Sequence, residues 1–437
     1  MPSKKKTQGA RKSDSRLDEV RHEIDQLDKE IQELISSRAR LANRVRASKG
    51  DFANAVDYYR PEREAQVLRK VIERNKGPLS DSEMTRLFRE IMSACLAQQE
   101  PLKIAYLGPE GTFTQQAVNR HFGHSVLALS HPSIDGVFEQ VQRSEADFGV
   151  IPVENSSQGI VSHTLDMFLV SDLHICGEIE LRVHQNLMTH ARNLNQVERI
   201  YSHEQSLSQC KAWIRAHLPK AELIAVGSNA EAARRVRTAP EAAAIAGQSA
   251  AEVYGVPILF SNIEDRPDNT TRFLVVGRHL LAPSGKDKTT LLLAGHEGPG
   301  LLFSLLKPFD KQAVNMTRIE SRPSSLGKWA YVFFVDVEGH AQDPSVAAAL
   351  AELKQVSKLC RVLGSYPKAI NTELGGAKTA KPASPAKRRA AKKVTKKRVS
   401  RVVAKTPSRV SATTQSKAGA KTARSEAARP RKKSTKV

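Results

Sequence analysis

Between Leu17 and Val45 the apolar residues recur as Leu17, Val20, Ile24, Leu27, Ile31, Leu34, Leu41 and Val45. Steps of three and four specify one long helix carrying a single apolar stripe, and such a stripe has to be covered. A Gly50-Asp51 break follows. Pro61 then opens a second helix at a position where its missing N–H costs nothing, and Gly77-Pro78 is expected to close it. Ser80-x-x-Glu83 is a capping box for a third helix, expected to run to about Gln99. One of these helices is about four heptads long, and three so short in total cannot wrap a core of their own. A helical dimer is expected.

The rest of the chain has a different texture. From Leu102, short apolar strands such as Lys103–Leu107, Phe148–Val153 and Arg272–Val276 alternate with helical stretches such as Ser228–Val236, an α/β pattern around a parallel or mixed sheet. Pro283-Ser284-Gly285 reads as a linker. From Thr289 to Tyr366 the order strand, helix, strand, strand, helix, strand suits a small ferredoxin-like module. At 437 residues the chain is too long for one core, so several domains are required.

Charge divides the chain again. Its formal net charge is +22, but Leu374–Val437 carries 21 of the 68 Lys and Arg against one acid, Glu426, a net of +20. The remaining residues are nearly neutral at +2. Beyond Asn371 there is no aromatic residue, and such a segment cannot bury enough apolar area to offset its ordering entropy. Residues 1–13 and 371–437 are accordingly expected to be disordered. The tail is compositionally similar to linker-histone tails, which bind phosphate backbones without reading sequence; the bland alternative is a solvated tail that affects solubility.

Several functional classes are disfavoured. Cys95, Cys176, Cys210 and Cys360 stand singly, without zinc-site spacing or a sign of a disulfide framework. No metal or organic cofactor is implied. The polar N-terminus lacks a secretory h-region and no apolar run reaches a membrane-spanning length, so a cytoplasmic protein is expected. Nothing resembles a nucleophile elbow. Gly108-Pro109-Glu110-Gly111-Thr112-Phe113-Thr114 lacks the Gly-Lys-Ser/Thr ending of a phosphate-binding P-loop, although its backbone could face a carboxylate.

Polar residues interrupt the helical seam. Counting sevens from Leu17 puts Arg38 on it, with Arg21 and Lys49 on its flank; Gln99 ends the apolar stripe Phe88, Met92, Cys95 of the third helix. A buried guanidinium is costly unless paired. The reading at this level stays open between an ion pair with Glu64, a seam that tolerates arginine, and an anionic ligand held between helices.

Taken in order, these segments resemble those of a known family. Residues 14–100 are similar to the all-helical chorismate mutase domain, 102–280 to the two-lobed α/β prephenate dehydratase domain, and 288–368 to the ferredoxin-like α+β ACT regulatory domain. Together they resemble the bifunctional P-proteins of phenylalanine biosynthesis, across about five-sixths of the chain. The resemblance implies conversion of chorismate to prephenate and then to phenylpyruvate, with phenylalanine as effector. It also implies a homodimer or higher homo-oligomer. For the mutase it implies Arg21 (from the partner subunit), Arg38 and Arg63 on the substrate carboxylates, Lys49 and Gln99 at the ether oxygen, and Glu64 at the hydroxyl. A family serine appears here as Cys95 and a family aspartate as Arg60. For the dehydratase it implies Thr271 as donor to the leaving hydroxyl, with Asn155, Ser202, Gln209, Arg272 and Phe273 binding substrate. Arg272 is the candidate carboxylate clamp. The effector would meet Gly298, Gly300, Leu301, Glu320, Ser321, Arg322 and Pro323, with Leu301 where the family usually has alanine.

Overall fold

The computed structural model describes residues 7–47, 59–98, 100–296, 298–323 and 331–370, with the side chains of the first helix described from 17 to 45. Lys49, Gln99 and the basic tail therefore lie outside the described residues.

Helix α1 runs Thr7–Ala47, beginning inside the 1–13 stretch for which disorder was expected. Its apolar seam faces outward: Leu17, Val20, Ile24, Leu27, Ile31, Leu34, Leu41 and Val45 are each 46% to 70% exposed. Toward its C-terminal end, Asn43 Nδ2 donates to Gln98 Oε1 at 3.3 Å. Helices α2 (Pro61–Arg74) and α3 (Asp81–Ala97) pack on each other and on the domains C-terminal to them. Helix α2 stops short of Gly77-Pro78, because Asn75 Nδ2 donates to Leu79 O and to Asp81 Oδ1 and organises the turn earlier. Ser80 Oγ accepts from the Glu83 N–H at 3.1 Å, the cap its sequence predicts.

The α/β region forms two lobes. The first holds β1 (Lys103–Leu107), β2 (Leu127–His131), β3 (Phe148–Asn155), β4 (Gly159–Ile160) and β5 (His174–Arg182). Its helices are α4 (Phe113–Phe122), α5 (Ile134–Gln142) and α6 (Ser162–Val170). The chain then crosses into a second lobe with β6 (Asn186–Thr189), β7 (Arg199–Ser202), β8 (Glu222–Ala225), β9 (Ala242–Ala246) and β10 (Ile258–Phe260). Helices α7 (Glu204–Gln209), α8 (Lys211–His217), α9 (Asn229–Val236) and α10 (Gln248–Tyr254) cover it. It returns as β11 (Thr270–Gly277), which inserts antiparallel between β3 and β5. Both sheets are mixed, ordered β2-β1-β3-β11-β5 and β10-β6-β9-β7-β8.

The third module is β12 (Asp287–Ala294), α11 (Leu301–Lys311), β13 (Met316–Pro323), β14 (Tyr331–Glu338), α12 (Pro344–Val356) and β15 (Leu359–Pro367). Its antiparallel order β13-β14-β12-β15 is ferredoxin-like. This sheet lies on the first lobe, and Ile151, Ile175, Leu274, Leu292, Phe334 and Tyr366 share one apolar core. At Gly364 the strands come so close that a Cβ would sit 2.1 Å from the Ile175 carbonyl oxygen. Only glycine fits there. Arg69 of α2 donates to the carbonyls of Ser284 and Lys286, tying the helical segment to the linker.

Candidate active site

A cleft of about 310 Å³ opens between the two α/β lobes. Leu107, Gly108, Asn155, Thr271 and Phe273 reach it from the first lobe, and Gln209, Ser228 and Asn229 from the second. Thr271 lies opposite Asn155 in the β11–β3 ladder. The Asn155 amide has one orientation: its Oδ1 accepts from the Ser157 N–H at 2.9 Å, so Nδ2 faces Thr271 and donates to Oγ1 at 2.8 Å. With its oxygen already receiving that bond, the Thr271 hydroxyl directs its own proton elsewhere.

Around this pair the polar groups are held by one another with donors to spare. Gln185 Nε2 donates to Ser206 Oγ at 3.0 Å and to Gln209 Oε1 at 3.2 Å. Asn229 Nδ2 donates to Ser206 Oγ at 2.8 Å, while its Oδ1 accepts from the His203 N–H at 3.0 Å. Asn269 Oδ1 accepts from the hydroxyls of Ser156 and Ser157. Buried and without a protein partner remain the donors Gln209 Nε2 and Asn269 Nδ2 and the acceptor Gln185 Oε1, all on residues of the cleft wall. Buried donors are normally satisfied, so the two donors are placed for a ligand with acceptor oxygens.

The cleft contains no lysine or arginine among its lining residues; His203 is its one titratable side chain. His203 Nδ1 accepts from the Gln205 N–H at 3.3 Å, which leaves the ring proton on Nε2. Positive potential comes instead from backbone. The N-termini of α4, capped by Thr112, and of α9, capped by Ser228, face the cleft from opposite lobes.

Two of the sequence-derived substrate contacts are corrected. Ser202 is wholly buried at the end of β7, where its Oγ donates to the Ile245 carbonyl at 2.6 Å, with Asn229 Oδ1 2.9 Å away. It supports Asn229 and does not line the cleft. Arg272 follows Thr271 on a strand, so its side chain leaves the opposite face of the sheet. There its Nη2 lies 2.8 Å from Asp336 Oδ2 and 2.9 Å from Glu178 Oε2, away from the cleft. Gln185, Ser206, Asn229 and Asn269 were missed, because in sequence they are indistinguishable from caps and turns.

Among the described residues, the helical candidates Arg21, Arg38, Arg63 and Glu64 do not converge on one site within a single chain. Arg21 is exposed and pairs with Asp18 at 3.3 Å. Arg38 is half-buried on α1, and among the described residues it has no ion pair, so the alternative of a pair with Glu64 is excluded in the single chain. Arg63 is exposed and donates to Gln66 Oε1 at 3.4 Å. Glu64, about a quarter-turn further round α2, points at the α/β region and accepts from Arg89 Nε at 3.3 Å. Burial raises its carboxyl above the usual range, against the pull of Arg89. Cys95 is buried, and Arg60 lies 3.5 Å from Glu62.

The effector segments lie on separate elements of the third module. Gly300, in the left-handed region at φ +79°, caps the start of α11, which favours glycine there even though a Cβ would meet nothing. The Leu301 side chain folds back over Gly295 toward the module's core. On β13, Glu320 and Arg322 are half-buried while Ser321 and Pro323 face out. Arg322 is already engaged, by Asp166 at 2.7 and 2.8 Å and by Ser162 Oγ at 2.8 Å.

Family models for chorismate mutase type II, prephenate dehydratase and the ACT domain match residues 20–100, 104–280 and 289–355. A bifunctional chorismate mutase/prephenate dehydratase of Stutzerimonas stutzeri is 51% identical over 358 residues, covering 81% of this chain and 98% of the relative. The chain belongs to the bifunctional chorismate mutase/prephenate dehydratase family. A second member, from Pseudomonas aeruginosa, is 49% identical over the same shares. Among solved structures, prephenate dehydratase in complex with L-Phe from Arthrobacter aurescens is 34% identical, with a TM-score of 0.57 over 61% of this chain and 90% of that one. Membership assigns both reactions: chorismate is rearranged to prephenate, and prephenate is decarboxylated and dehydrated to phenylpyruvate.

Proposed function

We propose that the interlobe cleft is the dehydratase site and that Thr271 is the donor to the departing hydroxyl. The observation that carries this reading is the orientation of the Asn155 amide, which makes Thr271 an acceptor toward Asn155 and so a donor toward the cleft. In the reaction, the C–C bond to the leaving carboxylate breaks and its electrons enter the ring. The ring then expels hydroxide and becomes aromatic. Negative charge grows on the departing oxygen, and a fixed O–H donor stabilises it there. Threonine is too weak an acid to protonate it in advance, so donation has to accompany C–O cleavage. Gln209 Nε2, Asn269 Nδ2 and the two helix N-termini suit the carboxylate oxygens of a dianion. Phe273 forms an apolar part of the wall.

The mutase site is read as one shared by two copies of the chain. The rearrangement needs neither nucleophile nor proton transfer, only a dianion held in a folded conformer beside cations. Arg38 and Arg63 would serve in one copy and Arg21 from the other, with Lys49 and Gln99 at the ether oxygen. The outward-facing seam of α1 supports this reading. Glu64 would have to exchange Arg89 for the substrate hydroxyl. Phenylalanine is proposed as the effector at Gly298–Leu301 and Glu320–Pro323, in line with the L-Phe bound to the Arthrobacter relative.

Purified protein given chorismate should release phenylpyruvate. Arg38→Ala should stop the first step, and Thr271→Ala should stop the second and accumulate prephenate. Phenylpyruvate formation by Thr271→Ala at the wild-type rate would refute the assigned donor. A second reading concerns the tail alone, whose net +20 suits polyanion binding. DNA affinity measured against salt should fall steeply for the intact chain and be absent in a chain truncated after Asn371. Equal binding by both would place the affinity in the enzyme body.

A further inference from the structure

The face of the sheet opposite the cleft carries a buried ionic cluster. Arg272 leaves β11 on that face with its side chain 11% exposed, between Glu178 of β5, 2% exposed, and Asp336 of β14, 6% exposed. Its Nε donates to Glu178 Oε2 at 3.0 Å and its Nη2 to the Tyr366 hydroxyl at 3.1 Å. Lys288 Nζ reaches both Glu178 oxygens, at 2.7 and 2.9 Å, and Thr290 Oγ1 donates to Asp336 Oδ1 at 2.6 Å. Two cations meet two carboxylates, so the cluster is balanced in charge. Burial opposes the charge on Arg272, and Tyr366, Asp336 and Glu178 outweigh it, holding the guanidinium protonated. Asp336, Lys288, Thr290 and Tyr366 all belong to the ACT domain.

The cluster stands directly behind the reacting pair. Thr271 is the cross-strand partner of Asn155, and the next residues, Arg272 and Glu154, are partners as well. Each of these neighbours turns to the ACT domain: Arg272 to Asp336, and Glu154 to Arg318 of β13 at 3.3 Å. Arg272, Arg318 and Asp336 line one small cavity. Immediately beyond, the ladder is irregular, since Arg272 pairs with Glu154 and Phe273 with Pro152, which leaves Val153 as an extra residue. A bulge re-aims the side chains beside it and is where strand pairing is least fixed by the ladder itself. The ACT contacts supply the missing constraint.

We propose that Arg272 is a positioning residue for the dehydratase reaction, held by Glu178 and the ACT domain's Asp336 so that β11 presents the Thr271 hydroxyl to the cleft. This rests on the reading of Thr271 as donor. The ACT domain, on this account, is the rear support of the catalytic pair, and a shift of its sheet alters the Asn155–Thr271 bond without any contact to substrate.

The test is steady-state kinetics of the full chain on prephenate, with mutase activity on chorismate as control. The wild type is measured first, and a wild type that makes no phenylpyruvate refutes the dehydratase reading itself. Asp336→Asn, which keeps the shape and removes the charge, should lower dehydratase kcat about tenfold or more. Its KM should stay within about twofold and its mutase rate should be unchanged. Arg272→Gln should do the same, Arg272→Lys should recover part of the loss, and the double variant should be no worse than the worse single one. A raised KM in Arg272→Gln, with Asp336→Asn unaffected, would mean that Arg272 contacts substrate and would overturn the proposal. So would lowered melting temperatures with wild-type kcat. Should Arg272→Gln fail to fold, Asp336→Asn and Glu154→Gln read the same coupling from the other side.

Discussion

Replacing Asn155 by aspartate separates the hydrogen-bond direction at Thr271 from everything else the residue does. The side chain keeps its size, and a carboxylate oxygen still accepts the Ser157 N–H that Oδ1 accepts at 2.9 Å. The change falls on the other atom, 2.8 Å from Thr271 Oγ1, where a donor becomes an acceptor. Two oxygens at that distance are compatible only if Thr271 donates to the carboxylate. A hydrogen bond to an ionised acceptor is roughly twice as strong as a neutral one, so the hydroxyl proton turns away from the cleft. Loss of one preorganised donor to a developing oxyanion costs about 10²–10³ in kcat, or about 2.7–4 kcal/mol. Asn155→Asp should therefore lose about that factor in phenylpyruvate formation, with chorismate consumption as internal control. KM should also rise, because a carboxylate repels a dianionic substrate. Thr271→Val should lose a similar factor, and the double variant should add little to it. Retention of kcat within about threefold by Asn155→Asp would refute the argument.

Three further outcomes are expected. Gly364→Ala would drive its Cβ to within 2.1 Å of Ile175 O and 2.8 Å of Ile175 N, both backbone atoms; overpacking of this kind costs about 1–3 kcal/mol or more, read as a fall in the urea midpoint. Ile24→Lys combined with Ile31→Lys places charge on the exposed seam, where each buried aliphatic side chain would contribute about 1.5–3 kcal/mol to association. Sedimentation should show smaller species with mutase activity lost and dehydratase activity kept; a wild type that sediments as a monomer would overturn the shared mutase site. His121, packed on Phe122, has its pKa lowered to about 3 by burial first and Arg89 second. Because the unfolded imidazole titrates near 6.5, the unfolded chain binds the proton first, and stability falls as pH drops below that value. His121→Gln should flatten the decline in urea midpoint between pH 7.5 and 5.5, and an unchanged slope would discount the residue.

Much of the architecture is local in origin and was legible in the residues. The capped start of α3, the start of α2 at Pro61, strand Lys103–Leu107 and the strand-helix order of the ACT domain all follow from short-range patterns. So does the apolar stripe of α1, which is exposed in the single chain. Ala242–Ala246 shows where this fails. By propensity the run is helical, yet it forms the wholly buried middle strand β9, paired with β6 and β7, with Ala242, Ala244 and Ala246 in one apolar cluster and Ala243 and Ile245 in another.

The catalytic neighbourhood divides along the same line. The order of the Val150–Gly159 and Thr270–Phe273 segments resembles that of the dehydratase family, and the reaction is implied by that resemblance, which contiguous stretches carry. Contiguity does not say which way a side chain points. Thr271 and Arg272 read as one site, but a strand sends consecutive residues to opposite faces, and only the packed sheets decide which face meets the cleft and which meets the ACT domain. Ser202 is likewise withdrawn to support Asn229, a residue 27 positions away. Chemistry that depends on residue type is carried by the chain itself; orientation and burial arise from contacts between segments distant in sequence.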